Sequence, residues 1–364
     1  RPLKSWTFPQ LTNQQPSEIN FRNGDIYRGE FQQGLPNGYG QMIFSGKETD
    51  PASAVGEEVY VHRQIYQGQW VDGQMTGQGL IKYPNGDKFQ GMFKNGERAD
   101  GEGKMVYLNG EWSSGEMFRF TDFYVGQWVD EQRNGFGKCQ VKTDVEHIRT
   151  DNPVVPEPVL SQWGPQRFPD LAPAAAPAVE SDARDTYEGE WRHNMMHGIG
   201  TYTFVSHGVK GNKYTGQFHN DKFFFNGKME YTNGDVHEGE WFDNFRRGPG
   251  VTYYNNGDVF SGNWEIQMTG HNGTVKSEVR SDGEGKMVFA GGDIKQYEGE
   301  WQDEMFHGKG TIEYSNGDTY TGEFARNQKS GKGTLFELKA TNRYVGAFED
   351  DKQSGFGRMY YNIG

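Results

Sequence analysis

The segment YEGEWQDEMFHGKGTIEYSNGD, Tyr297 to Asp318, decides how the rest of the chain is read, because close copies of it recur along almost the whole length. At period two, Tyr297, Gly299 and Trp301 fall on one face of an extended strand and Glu298 and Glu300 on the other. After six turn-prone residues, Gly308, Gly310, Ile312 and Tyr314 again share a face, so a second strand begins with two residues that lack side chains and ends with bulky apolar ones. Small positions facing large ones let rings lie flat on neighbouring backbone. Asn316-Gly317 then gives a strong hairpin signal, since both central residues of a type I′ turn need positive φ. The next copy starts at Tyr320. The unit is therefore a β-hairpin joined by a second tight turn to the next hairpin, and the chain reads as a continuous antiparallel meander.

The start, aromatic-x-Gly-x-aromatic, appears at Tyr27, Tyr66, Phe89, Tyr124, Tyr187, Tyr214, Phe260, Tyr297, Tyr320 and Tyr344, with His237 replacing the first ring in the eleventh copy. Steps from 66 to 89, 214 to 237, 237 to 260 and 297 to 320 are 23 residues each, which sets the period. Longer steps locate insertions: Ser45 to Arg63 extends a joint, Glu265 to Asp282 lengthens a hairpin, and Glu111 to Phe123 is a further break. Surface insertions add little closure entropy, so these pieces are expected to protrude and to encode partner choice. The step from 124 to 187 holds seven prolines and an Ala-rich run from Ala172 to Ala178, a composition that favours extended chain. The expected division is an extended lead-in over 1–20, an array of four units plus a partial one over 21–143, a Pro/Ala-rich linker over 144–184, and a seven-unit array over 185–364. Trp163 and Phe168 are the linker's candidate anchors on the array or on a partner.

Hydrophobic residues make up 33% of the chain against 52 glycines, which argues against one large globular core and for stacked repeats that bury their faces on each other. A net charge of −13 disfavours nucleic acid, whose phosphates need clustered Lys and Arg. Cys139 is the single cysteine, so no internal disulfide forms, and a reducing, intracellular compartment is the natural reading. No apolar run reaches the roughly 20 residues of a membrane helix. The chain opens on Arg1 and ends where a turn is interrupted, which points to a fragment or processed chain.

Written out, the unit is Tyr-x-Gly-x-Trp, six residues, then Gly-x-Gly-x-x-x-Tyr-x-Asn-Gly-Asp, almost whole at Tyr66 to Asp87 and Tyr297 to Asp318. One or two departures mark Tyr187 to Phe204, His237 to Asp258, Tyr320 to Gly333 and Tyr344 to Tyr361. This pattern resembles the MORN repeat (membrane occupation and recognition nexus). The resemblance implies an all-β, elongated, single-layer antiparallel meander used as a scaffold. Proteins similar to it include radial spoke components of cilia and flagella, junctional membrane proteins, apicomplexan basal-complex proteins, and enzymes that carry the repeat beside a catalytic domain; fold alone does not choose among them. Phe225, in place of the first unit glycine, and Leu338 to Asn342, in place of the turn, are departures expected to pack less regularly.

A single sheet with nothing over its aromatic-glycine face would leave a long apolar strip wet, and such patches mark interaction surfaces. Tyr66, Trp70, Tyr187, Trp191, Trp241, Trp264, Tyr297 and Trp301 are the candidate protein-binding rings, set against the alternative that they pack on neighbouring glycines and make the fold. Glu30, Glu190, Glu240, Glu300 and Glu323 share one unit position and form an acidic column, solvated or facing a basic partner. No catalytic, cofactor-binding or metal-ligating residue is assigned: no Gly-x-Gly copy continues into a phosphate-binding loop, and His193 and His197 sit in a hairpin loop where their spacing does not align ligands. Asp87, Asp235, Asp258 and Asp318 follow Asn-Gly and read as turn residues.

The expected function is a non-enzymatic scaffold that binds other protein subunits of a large cytoskeletal assembly, with the ciliary or flagellar axoneme as its place. It takes no cofactor, nucleic acid or small-molecule substrate. The alternatives are a membrane-contact or phosphoinositide-binding module, for which clustered basic residues are scarce, and the regulatory region of an enzyme whose catalytic domain lies outside this chain.

Overall fold

Alternation at period two produces strands throughout. In a computed structural model that describes residues 17–49, 58–107, 120–142, 184–206, 209–269 and 275–361, twenty-three strands run from Ser17–Asn20 to Lys352–Tyr360, and among the described residues there is no helix. Each of the eleven starts lies in a strand that is followed by its return strand, and Ser17–Asn20 completes the set. The described residues up to Gly198, with 205, 206 and 209, form one compact unit; 199–204 and 210–361 form the other.

Within each unit, every strand pairs antiparallel with the next, and from the strand of Gly29 onward the register brings glycine opposite glycine at each step. In the first unit Gly29, Gly40, Gly68, Gly79, Gly91, Gly103, Gly126, Gly137 and Gly189 make one unbroken row across the strands. In the second, a row runs from Gly216 and Gly227 through Gly299, Gly310 and Gly322 to Gly357. The strand Asp185–Arg192 pairs with Gln132–Lys142 in this same register, Tyr187 opposite Cys139 and Trp191 opposite Gly135. The stretch between them therefore connects neighbouring strands of one meander. Residues 143–183, with Trp163 and Phe168, lie outside the described residues.

The two turns are exchanged relative to expectation. At Asn316-Gly317 only Gly317 has positive φ, and Tyr314 N–H donates to Asp318 O at 2.9 Å across a wider loop. The turn with two positive-φ residues is the other one, Asp303-Glu304 (φ 49° and 64°), so the six-residue loop is in fact two residues long and the strands run on through Gln302 and Met305. Asn and Asp populate this turn in most other copies, as at Asp243-Asn244 and Asn220-Asp221, because their short polar side chains tolerate the left-handed region. The added length is absorbed by a bulge between the Gly299–Gly310 and Trp301–Phe306 pairs, and Gly308 sits in it at φ 53°.

The Asn-Gly-Asp turns also join successive repeats. Asp318 accepts Asn316 Nδ2 on one oxygen and Leu338 N–H, one repeat further on, at 2.8 Å on the other. Asp25, Asp185, Asp235 and Asp258 likewise accept N–H groups from Ser45, Val205, Asn255 and Ala290. Leu338 keeps this bond although its own turn is altered, and Phe225 keeps the register of its strand opposite Trp241 by adopting the glycine's φ, at 51°. Neither departure makes its unit irregular, which corrects the expectation: backbone pairing and the turn carboxylate fix the register whatever the side chain. Both expected long hairpins form, Leu35–Thr49 with Glu58–Val71 and Val259–Thr269 with Val275–Val288.

Candidate partner-binding face

Each start ring lies down on the glycine row. Tyr297 is fully buried, its Oη donates to Glu300 O at 2.6 Å, and a Cβ added at Gly310 would stand 2.6 Å from the ring. Tyr27, Tyr66, Tyr124, Tyr187, Tyr214 and Tyr320 make the same bond to the carbonyl three residues on. Burial pushes the Tyr297 and Tyr214 phenols above their usual range, so they stay protonated donors. Within each unit, the ring four residues after a start wedges edge-on between its own start ring and the preceding one where that unit holds one. In the first unit these contacts, Tyr27–Trp70, Trp70–Tyr66, Tyr66–Phe93 and onward, have centroids 4.9 to 5.8 Å apart. Edge-to-face pairs add roughly 0.5–1.5 kcal/mol each beyond area burial, so the row of rings is a continuous source of stability.

A third position closes this layer, and the sequence reading overlooked it. Nine residues after the start, Phe223 and Phe306 stack flat on Tyr214 and Tyr297 at 3.9 and 3.8 Å. In three other copies the same place is taken by an arginine cation: Arg98 over Phe89 and Trp128, Arg133 over Trp191, Arg246 over Trp264 at 3.7 Å. In the lengthened hairpin Arg280 does the same over Phe260 and Trp301. Glu131, Glu278 and Glu304, which pair with Arg98, Arg246 and Arg280, come from the following turn or the inserted hairpin. Glu278 also accepts the Arg246 backbone N–H, just as Asn327 accepts that of Phe306 at 2.7 Å. The available signal was the two-residue turn, which moves Met305 and Phe306 out of the loop and into the strand.

These layers correct the expectation of a wet apolar strip. Tyr66, Trp70, Tyr187, Trp191, Trp241, Trp264, Tyr297 and Trp301 are brought together in rows as predicted, but each is no more than 6% exposed. The physical reason is the glycine row below and the ninth-position side chain beside each ring. Their role in this structure is that of a core, and ninth-position residues share it, with Arg133, Phe223 and Phe306 no more than 7% exposed. His237 belongs to the same core: it occupies a start position with no exposed surface, its Nδ1 2.9 Å from Thr252 Oγ1, and burial with the nearby Arg246 charge pushes its pKa down to about 3.

The acidic column has an internal use as well. Glu300 Oε1 accepts the Lys309 N–H at 2.9 Å, and Gln127 accepts that of Phe136 at the same distance, each latching the bulge. In the neighbouring row Glu188, Glu238 and Glu298 pair with Lys138, Lys228 and Lys286 at 3.1–3.3 Å. These pairs are exposed and add little.

The family model for the MORN repeat matches nine segments, 27–48, 66–88, 124–140, 187–209, 214–236, 237–259, 297–319, 320–336 and 344–364, more than half of the chain. The two starts it leaves unmatched, Phe89 and Phe260, form hairpins with the same glycine pairs, Gly91–Gly103 and Gly262–Gly285. Curated proteins similar to this chain include those named Alsin from Rattus norvegicus, Mus musculus and Homo sapiens, each 29% identical over 119 residues, which is 33% of this chain and 6% of the relative. The likeness thus spans a small part of those proteins. Sequence period, glycine register and nine family matches agree: the chain belongs to the MORN-repeat family.

Proposed function

We propose that this chain is a non-enzymatic scaffold that binds other protein subunits of a large cytoskeletal assembly, placed in the ciliary or flagellar axoneme at the radial spoke. The observation that supports the binding role is a division of labour along the sequence. Residues that repeat are consumed by the fold: rings, glycines and turn carboxylates are buried or bonded within the meander. Residues that break the repeat extend beyond it, in two lengthened hairpins, of which Glu278 and Arg280 reach back to the ring layer, and in exposed side chains such as Phe225 and Phe136. Repeated surfaces look alike from unit to unit, whereas breaks are unique, and uniqueness is what a specific partner reads. The axonemal placement rests on the resemblance to radial spoke proteins together with an acidic surface ill suited to anionic lipid.

Cross-linking mass spectrometry on isolated axonemes, with imaging of the tagged chain in ciliated cells, tests both levels. Cross-links from the Glu265 to Asp282 hairpin to spoke subunits, with axonemal signal, are expected. A chain that stays in the cytosol without such cross-links overturns the placement. Salt-sensitive pelleting with anionic vesicles would transfer the role to a membrane surface.

A further inference from the structure

We infer that Phe224, Phe225 and Phe242, bordered by Arg247, form a docking site for an extended protein segment that presents a bulky apolar side chain beside a carboxylate. The site lies in the second unit, apart from the ring core, and the inference rests on the scaffold reading only in taking the partner to be protein.

The first observation is strain at an exposed place. Every other copy has glycine at this bulge, from Gly38 and Gly77 to Gly331 and Gly355, with φ between 53° and 129°. Phe225 holds φ 51°, a conformation that costs a bulky residue free energy. Its side chain does not recover that cost by burial, since the ring is 61% exposed.

The second observation is convergence. The position of Phe224 is polar in most other copies, as Asn37, Thr76, Asn134, His197, His307 and Ser330. That of Phe242 is mostly polar too, as Gln32, Lys94, Arg192 and Gln302. Departures at three separate repeat positions meet in space: Phe224 lies 4.6 Å from Phe225 and 5.1 Å from Phe242 between ring centroids, on strands that neighbour each other. Phe242 is also exposed. Clustered exposed rings of this kind supply the apolar anchor of an interface.

Charge selects the occupant. Arg247 stands over Phe242 at 4.9 Å, and among the described residues no carboxylate pairs with it, while the nearby Lys222 is matched by Asp243. An unpaired guanidinium beside three rings favours a carboxylate at this place, against the −13 net charge of the chain as a whole, because the short-range charge-assisted bond outweighs the screened long-range field.

The test is to pan a random peptide library displayed on phage against the whole chain and to measure the enriched peptides, resynthesised, by fluorescence anisotropy. Enrichment of Trp, Phe or Leu next to Asp or Glu is expected, with binding weakened about tenfold or more by Phe225→Gly and by Arg247→Glu, the size of loss usual for an anchor residue. Phe225→Gly is expected to melt no lower than the parent, since it removes strain and leaves no cavity. No enrichment, peptides indifferent to both substitutions, enrichment of basic peptides, or a lowered melting temperature for Phe225→Gly would each overturn the inference. None of these results depends on where the chain resides, so a failure here is distinct from a failure of the axonemal placement.

Discussion

Gly310→Ala tests the central packing claim, that each start ring fills the space a Cβ would take. Gly310 faces Gly299 on one side and Gly322 on the other, and a Cβ there would stand 2.6 Å from both Cε2 and Oη of Tyr297. That is about 1 Å inside ordinary carbon–carbon contact. The ring has nowhere to go: it is fully buried, stacked on Phe306 at 3.8 Å, and held by its bond to Glu300 O. Relief means overpacking strain of about 1–3 kcal/mol, with about 1 kcal/mol more if the hydrogen bond breaks. The expected loss is therefore about 2–4 kcal/mol. Gly291→Ala is the matched control, because a Cβ there meets nothing within 4 Å and its φ is not left-handed; it is expected to change stability by less than about 0.5 kcal/mol. In a repeat array a local loss is diluted in a global melt. Hydrogen exchange at the Glu298 and Ile312 amides should accompany thermal unfolding followed by tryptophan fluorescence. If Gly310→Ala falls within about 0.5 kcal/mol of the control, the ring-on-glycine account is refuted.

Three further outcomes follow from the same structure. His237, with its pKa lowered to about 3 from an ordinary 6.5, contributes stability that is complete above pH 6.5 and declines as pH falls toward 3, because the unfolded chain takes up the proton first. The decline is roughly 1 kcal/mol per pH unit, and the double substitution His237→Tyr with Thr252→Ile, which restores the usual start pair, should remove that component from pH-dependent urea melts. Trp241 Nε1 donates to Gly227 O at 3.1 Å, whereas the buried Trp301 Nε1 has no hydrogen-bond partner, so Trp241→Phe should cost about 1 kcal/mol more than Trp301→Phe. Alanine at either site should cost about 3–5 kcal/mol, and circular dichroism should show that any lost partner binding is lost fold. Asp318→Ala should cost about 1–3 kcal/mol and accelerate exchange of the Leu338 amide, while an unchanged exchange rate would remove the carboxylate from the joint between repeats.

Much of this was legible in the residues. Period two sorted Tyr297, Gly299 and Trp301 onto one face, and the step of 23 residues placed all eleven starts in strands. Both signals are local, since a side chain's face depends only on its place along one strand. The interior of the face was not local. A two-residue turn at Asp303-Glu304 and a bulge at Gly308 shift the return strand by two residues, which keeps Phe306 on the face of Ile312 and sets it opposite Trp301 instead of in the loop. That shift carries Phe306, or Arg246 and its counterparts, onto the rings, so the predicted binding rings became core. In the same way Phe225 was visible in the sequence as a missing glycine, but its meeting with Phe224 and Phe242 was not. The sequence by itself determined the repeat, the strand class and the glycine-aromatic pairing, because these follow from periodicity. Tertiary structure alone decided which residues are exposed, because exposure is set by what neighbouring strands in register bring over each ring.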